Sequence, residues 1–191
     1  MIEKCLTSQT VFSGELLQVR RDEVELANGH HSVREYIVHP GAAVVVPLFP
    51  DGRVLLERQF RYPLGRVFLE LPAGKRDPGE DLLATAQREL LEETGYQAQE
   101  WYFLCHIHPG IGYTNEEMGL YLARDLSLTQ PCWDEDETIE LVTLSLDDAL
   151  AKVQSGHITD VKTVIGLFWA NRLVRGEWLL PSQDSNASGG G

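Results

Sequence analysis

The stretch from Gly74 to Tyr96 constrains this chain more than any other. Leu83, Ala86 and Leu90 recur there at helical spacing, with Leu82 and Leu91 beside them, which predicts a helix over about Asp81–Thr94. Asp81 is the expected N-cap and Gly95 the expected C′ residue. The same helix carries Glu89, Glu92 and Glu93. Positions i, i+3 and i+4 share a face, so three carboxylates converge, which in an isolated helix costs roughly 0.2–0.5 kcal/mol per like-charged pair. Arg88 projects about 100° away from Glu89 and offsets only part of that repulsion. A solvated acidic face is one reading of such a run. The other is a cation site, since Mg²⁺ favours a few carboxylates together with water and substrate phosphate.

The rest of the chain supplies strands first and helices later. Residues from about Val11 to Val38 read as strands, turned at Asn28-Gly29, where both residues tolerate positive φ. Ala42 to Phe49 is a nearly continuous apolar run, as in a strand buried on both faces. After the Pro50-Asp51-Gly52 turn, Arg53–Phe60 and Val67–Leu71 are further strands, and Pro72-Ala73-Gly74 breaks the second of them. Beyond the acidic helix, strands fall near Trp101–Ile107, Gly119–Ala123 and Ile139–Leu144. Helices follow at about Leu146–Ser155 and Val161–Arg175. That order implies an α+β fold, or an α/β/α sandwich around a mixed sheet. The domain reading is an N-terminal β arm over 1–40, a main domain over 41–178 and a flexible tail over 179–191.

Composition removes several function classes. Lysine and arginine number 16 against 29 aspartates and glutamates, a net charge of −13. A nucleic-acid backbone binder needs clustered Lys and Arg, so no nucleic-acid partner is expected. An anionic substrate remains open if metal ions restore the local sign. Cys5, Cys105 and Cys132 are too few and scattered for a disulfide framework or a zinc site, which points to reduced thiols in the cytoplasm. Met1 to Thr10 does not resemble a signal peptide, and no apolar run approaches ~18 residues, so no membrane association is expected.

Gly74-x5-Glu80-x7-Arg88-Glu89-Leu90-x-Glu92-Glu93-x-Gly95-Tyr96 resembles the complete Nudix box. A chance match is on the order of one in a billion per start point on flat residue usage. Tyr96 stands where the family more often has an aliphatic residue. The resemblance implies the Nudix α/β/α sandwich with its mixed sheet. It also implies divalent-metal hydrolysis of a nucleoside diphosphate linked to another moiety. By the same resemblance Glu89 and Glu93 ligate Mg²⁺ or Mn²⁺, Glu92 assists, and the Ala73 carbonyl is a further ligand. Arg88 orients the carboxylates, Glu80 pairs back towards the helix, and Gly74 and Gly95 serve the backbone turns.

Outside the box the chain is similar to the ADP-ribose pyrophosphatase subfamily. His108-Pro109-Gly110-Ile111-Gly112-Tyr113-Thr114-Asn115-Glu116-Glu117 resembles its Pro-Gly loop, with Pro109 about two residues early and Glu116 in register. Gln59-Phe60-Arg61 resembles the strand whose arginine meets pyrophosphate or the terminal ribose, chemistry that suits a guanidinium fork. Arg34 and Glu35 match an arm that contributes to the adenosine site, often across a dimer interface. Substrate contacts are thus expected from Arg34, Glu35, Arg61, Pro109, Gly110 and Glu116. Asp134-Glu135-Asp136-Glu137 resembles the loop that carries the general base, with Glu135 preferred over Glu137 in an ungapped reading. His106 and His108 alternate onto one strand face, and four tryptophans could stack on adenine, but structural roles are the commoner fate of both.

The resulting expectation is a homodimeric hydrolase that cleaves ADP-ribose to AMP and ribose 5-phosphate. Two alternatives stand beside it. One changes the substrate to another nucleoside diphosphate sugar such as GDP-mannose. The other is a non-catalytic regulator that binds ADP-ribose, against which stand the intact box and the lack of a basic helix-turn-helix.

Overall fold

Described residues are 2–129 and 139–181 of this computed structural model. Three strands, β1 (Lys4–Ser13), β2 (Gln18–Glu25) and β3 (His31–Val38), form an antiparallel meander. The β2–β3 turn falls at Asn28-Gly29 as expected, with Gly29 at φ 80°. β1 begins seven residues before the expected Val11. Every one of its ten residues is exposed, so it has no buried face to impose the apolar–polar alternation by which strands are read. The meander and the loop His108–Glu117 make one compact unit. Within it, the Ile37 N–H donates to the Tyr113 carbonyl at 2.8 Å, and Ile37 bridges Thr114.

The second unit takes Ala42–Ile107 and the chain from Met118 onward. Its strands are β4 (Ala42–Pro47), β5 (Arg53–Arg61), β6 (Arg66–Glu70), β7 (Ala73–Lys75), β8 (Tyr96–Ile107), β9 (Met118–Leu128) and β10 (Ile139–Ser145). Its helices are α1 (Leu82–Thr94), α2 (Leu146–Gln154) and α3 (Val161–Val174). β7-β4-β9-β8 form a mixed sheet in which only β4 and β9 run parallel, and β10-β5-β6 form an antiparallel one. Pro72-Ala73-Gly74 was expected to break a strand. It does, since β6 ends at Glu70, but Ala73 and Gly74 then open a new short strand, β7, which pairs with Val44 and Ala43. Proline blocks only its own N–H, so pairing resumes one residue later.

β4 is buried at all six positions, as its apolar run requires, and its alternation divides two cores. Ala43 and Val45 face α1, packing with Ala86, Leu90, Tyr121 and Ala123. Val44 and Val46 face the other way, onto Leu56, Leu120, Leu122, Leu167 and Ala170, so α3 covers the opposite face. Helices on both faces of a mixed sheet constitute the Nudix-type α+β sandwich. α3 approaches closely because Gly166 has no side chain, since a Cβ there would lie 2.4 Å from Leu71 Cδ1.

Candidate active site

α1 starts and stops where the sequence predicts. The Asp81 side chain accepts from the Ala84 N–H, and Gly95, at φ 71°, returns its N–H to the Leu91 carbonyl. The helix projects Arg88, Glu89, Glu92 and Glu93 into a cavity of 430 Å³, whose other walls include Gln59, Arg61, Ala73, Gly74 and Lys75. All the residues that the box resemblance assigned to metal therefore border one space.

Arg88, in that space, ties three of the acidic side chains together. Arg88 Nη1 donates to Glu89 at 2.8 Å and to Glu92 at 2.9 Å, while Nε and Nη2 each donate to Glu80 at 3.1 Å. This corrects the helical-wheel reading of Arg88. The backbone angle is as expected, but a long arginine folds back to reach its neighbour. Glu93 turns the other way and accepts from the Ala73 N–H at 3.0 Å. Consequently, no three acidic, histidine or cysteine side chains among the described residues stand at metal-ligating distance.

The donor set nevertheless fits a hard cation, since it consists of carboxylates with a backbone carbonyl at Ala73. Gln59 adds a buried Oε1 that has no hydrogen-bond partner among the described residues. Gly74 supplies a cradle, because a Cβ there would lie 1.9 Å from the Glu89 carboxylate. That close approach replaces the expected turn role for Gly74, which sits in β7. The Arg88 bonds, aided by Thr85 and the Asp77 N–H against partial desolvation, hold the Glu80 carboxyl down at about 2. In return Glu80, then Glu92 and Glu89, hold the Arg88 guanidinium above its usual range despite desolvation.

Arg61 lines the same cavity and donates from Nε and Nη2 to Glu70, both at 2.8 Å. The remaining expected substrate contacts belong to the first unit. Arg34 and Glu35 border a separate 390 Å³ cavity there, together with Tyr36 and Tyr113. The Arg34 guanidinium is tied to Glu3 at 2.8 and 2.5 Å, and Glu35 lies 3.6 Å from Arg21. Pro109 is half-buried, and the buried Gly110 accepts from the Tyr113 and Thr114 N–H groups. Glu116 is 3.8 Å from His39. Glu135 and Glu137 lie outside the described residues, as do Cys132 and Trp133.

His106 belongs to β8, whereas His108 has left the strand and lies 3.4 Å from Glu117, so the two do not share a strand face. Trp169 and Trp178 pack edge to face, and the Trp101 indole donates to the Ala98 carbonyl. Sequence reasoning missed Gln59 and Lys75 in the cavity wall. It also missed Lys162, which is buried against Glu70 and Asp160. The available signal was a lysine in the first turn of a helix that is apolar from Val164 to Ala170.

Residues 38–162 match the family model of the NUDIX domain. Residues 3–37 match that of the nucleoside diphosphate sugar hydrolase N-terminal domain. The chain is 39% identical over 167 residues to the methanol dehydrogenase activator of Bacillus methanolicus, covering 86% of this chain and 90% of that one. It is 38% identical over 167 residues, with the same coverage, to the ADP-ribose pyrophosphatase of Bacillus subtilis. A crystal structure of an ADP compounds hydrolase superposes with a TM-score of 0.83 at 26% identity, over 93% of this chain and 96% of that one.

Proposed function

This chain belongs to the Nudix family of hydrolases, and from that footing we propose that it cleaves the pyrophosphate of ADP-ribose to AMP and ribose 5-phosphate. The observation that carries the reading is the shared cavity of Arg61, Ala73, Arg88, Glu89, Glu92 and Glu93. The ADP-ribose pyrophosphatase of Bacillus subtilis supports the choice of substrate.

Nudix hydrolases are in general dependent on divalent metal, and we assign Mg²⁺, or Mn²⁺ in its place, to Glu89, Glu92, Glu93 and the Ala73 carbonyl. When bound, the cation neutralises pyrophosphate charge and lowers the pKa of a ligated water. Arg88 orients Glu89 and Glu92 through its Nη1 bonds. Arg61 offers a guanidinium edge to the phosphate oxygens. Carboxylates committed to a cation are poor proton acceptors, so a separate carboxylate must take the proton from the attacking water. We assign that role to Glu135, with Glu137 second. Glu135→Gln is expected to lower kcat by about 10²–10⁴ and Glu137→Gln by less. If both retain wild-type kcat, the base lies elsewhere, with Glu116 or Glu117 next to be tested.

Phosphate release from a panel of nucleoside diphosphate compounds, coupled to a phosphatase, tests the substrate. Turnover highest on ADP-ribose and abolished by EDTA is expected. Preference for GDP-mannose would move the substrate within the same chemistry, and binding of ADP-ribose without turnover would make the protein a sensor.

We further propose a cytoplasmic homodimer. Cys5 and Cys105, both free thiols, support the compartment. A three-stranded meander whose first strand buries no residue supports the dimer, because so small a sheet needs a covered face. Deleting residues 1–38 is expected to yield monomer with poor substrate affinity, and a wild-type monomer in light scattering at micromolar concentration would contradict the dimer.

A further inference from the structure

Two features of the active-site cavity are held from one place, the first turn of α3. Glu70 accepts from Arg61 on one side and from Lys162 Nζ on the other. Its side chain is 3% exposed and that of Lys162 is 8% exposed. Lys162 also donates to Asp160 at 3.0 Å, and the same Asp160 oxygen caps α3 by accepting from the Thr163 N–H at 3.1 Å and the Thr163 hydroxyl at 2.6 Å. The Thr163 hydroxyl oxygen in turn accepts from the Leu71 N–H at 2.8 Å, two residues before Ala73.

A buried carboxylate must be paired, and removing one partner from a buried charge network leaves the others uncompensated. If Arg61 were the sole counter-charge of Glu70, it would be drawn fully onto that carboxylate. With Lys162 sharing Glu70, the guanidinium is fixed in plane by two bonds while its charge stays available to a second anion. Nε and Nη2 are taken by Glu70, and Arg61 borders the active-site cavity as well as a second one beside Lys162.

We propose that Lys162 is a positioning residue for the active site: acting through Glu70, it sets the orientation and free charge of Arg61 for binding the substrate pyrophosphate. This rests on the reading of the cavity as a pyrophosphate site.

A double-mutant cycle tests it on ADP-ribose, or on whichever nucleoside diphosphate compound the wild type cleaves best. Lys162→Met is expected to lower kcat/KM about tenfold, mostly through KM, and to lose less than about twofold once Arg61→Ala is present. Glu70→Gln, which keeps the side-chain volume, should reproduce this loss and be equally silent beside Arg61→Ala. It carries the cycle if Lys162→Met does not fold. Lys162→Arg should recover part of the lost affinity. A Lys162→Met enzyme with wild-type kcat/KM, or a tenfold loss that persists in full beside Arg61→Ala, overturns the proposal. A wild type idle on ADP-ribose but active on another compound counts against the substrate reading alone, and one idle on the whole panel overturns both.

Discussion

β1 and β4 are both strands of ordinary length, yet no residue of β1 is buried and no residue of β4 is exposed. β4 receives α1 on one face and α3 on the other, so each of its side chains is answered by packing. β1 carries Leu6 at 39% exposure and Phe12 at 55%, so both are only partly covered. The sheet that holds the box is therefore packed on both faces, whereas β1 buries none of its residues. The part of the chain that holds the box and the arm proposed to form the dimer thus have opposite packing.

The contrast can be broken in four places. Glu93→Gln is isosteric and is expected to lower kcat about 10³-fold, roughly 4 kcal/mol of transition-state stabilisation, with an unchanged melting curve. A fall in melting temperature of similar relative size would mean that the site and the core are not separable. Leu90→Ala empties a wholly buried position between α1 and β4 and should cost about 3 kcal/mol in urea unfolding. A cost under about 1 kcal/mol would show that the α1 side of the sheet is loosely packed.

Glu80→Gln should cost about 1 kcal/mol near neutral pH, after discounting for solvent screening. Since the Glu80 carboxyl is held at about 2 against an ordinary 4.5, its contribution is complete above about pH 4.5 and disappears as pH falls through 2. The wild-type and variant stability curves should therefore converge in acid, and a constant gap down to pH 2 would refute the pairing with Arg88. Leu6→Ala should change stability least, by under about 0.5 kcal/mol at concentrations where the protein is monomeric. A larger loss that grows with protein concentration would reveal the surface that covers β1.

Legibility in the sequence follows the same division. α1 was readable to within a residue because three independent signals agree: apolar spacing, the Asp81 cap and the Gly95 stop. β4 was readable because burial on both faces leaves a run of apolar residues that little else produces. The start of β1 was not, since Lys4 to Thr10 face no core and carry no pattern. β7 was hidden because Pro72 follows the end of β6 and gives no sign that a new pairing begins one residue later. The roles of the box residues came from the resemblance to the Nudix box, which says nothing of their arrangement. Which carboxylate Arg88 reaches depends on the side chain's length and rotamer, and these are invisible in a linear pattern. Lys162 was overlooked for a related reason, since its partners Glu70 and Asp160 lie 92 and 2 residues away.

The alternation of β4 bears on how this chain can change over generations. Its odd residues meet Ala86, Leu90, Tyr121 and Ala123, while its even residues meet Leu120, Leu122 and Leu167. A single-codon insertion within the strand would turn every residue beyond it to the opposite face, into neighbours it was not shaped for. Both layers would be mispacked by one event. Length variation in descendants of this sequence should therefore be purged from Ala42–Pro47 and tolerated at turns such as Asn28-Gly29 and Pro50-Asp51-Gly52.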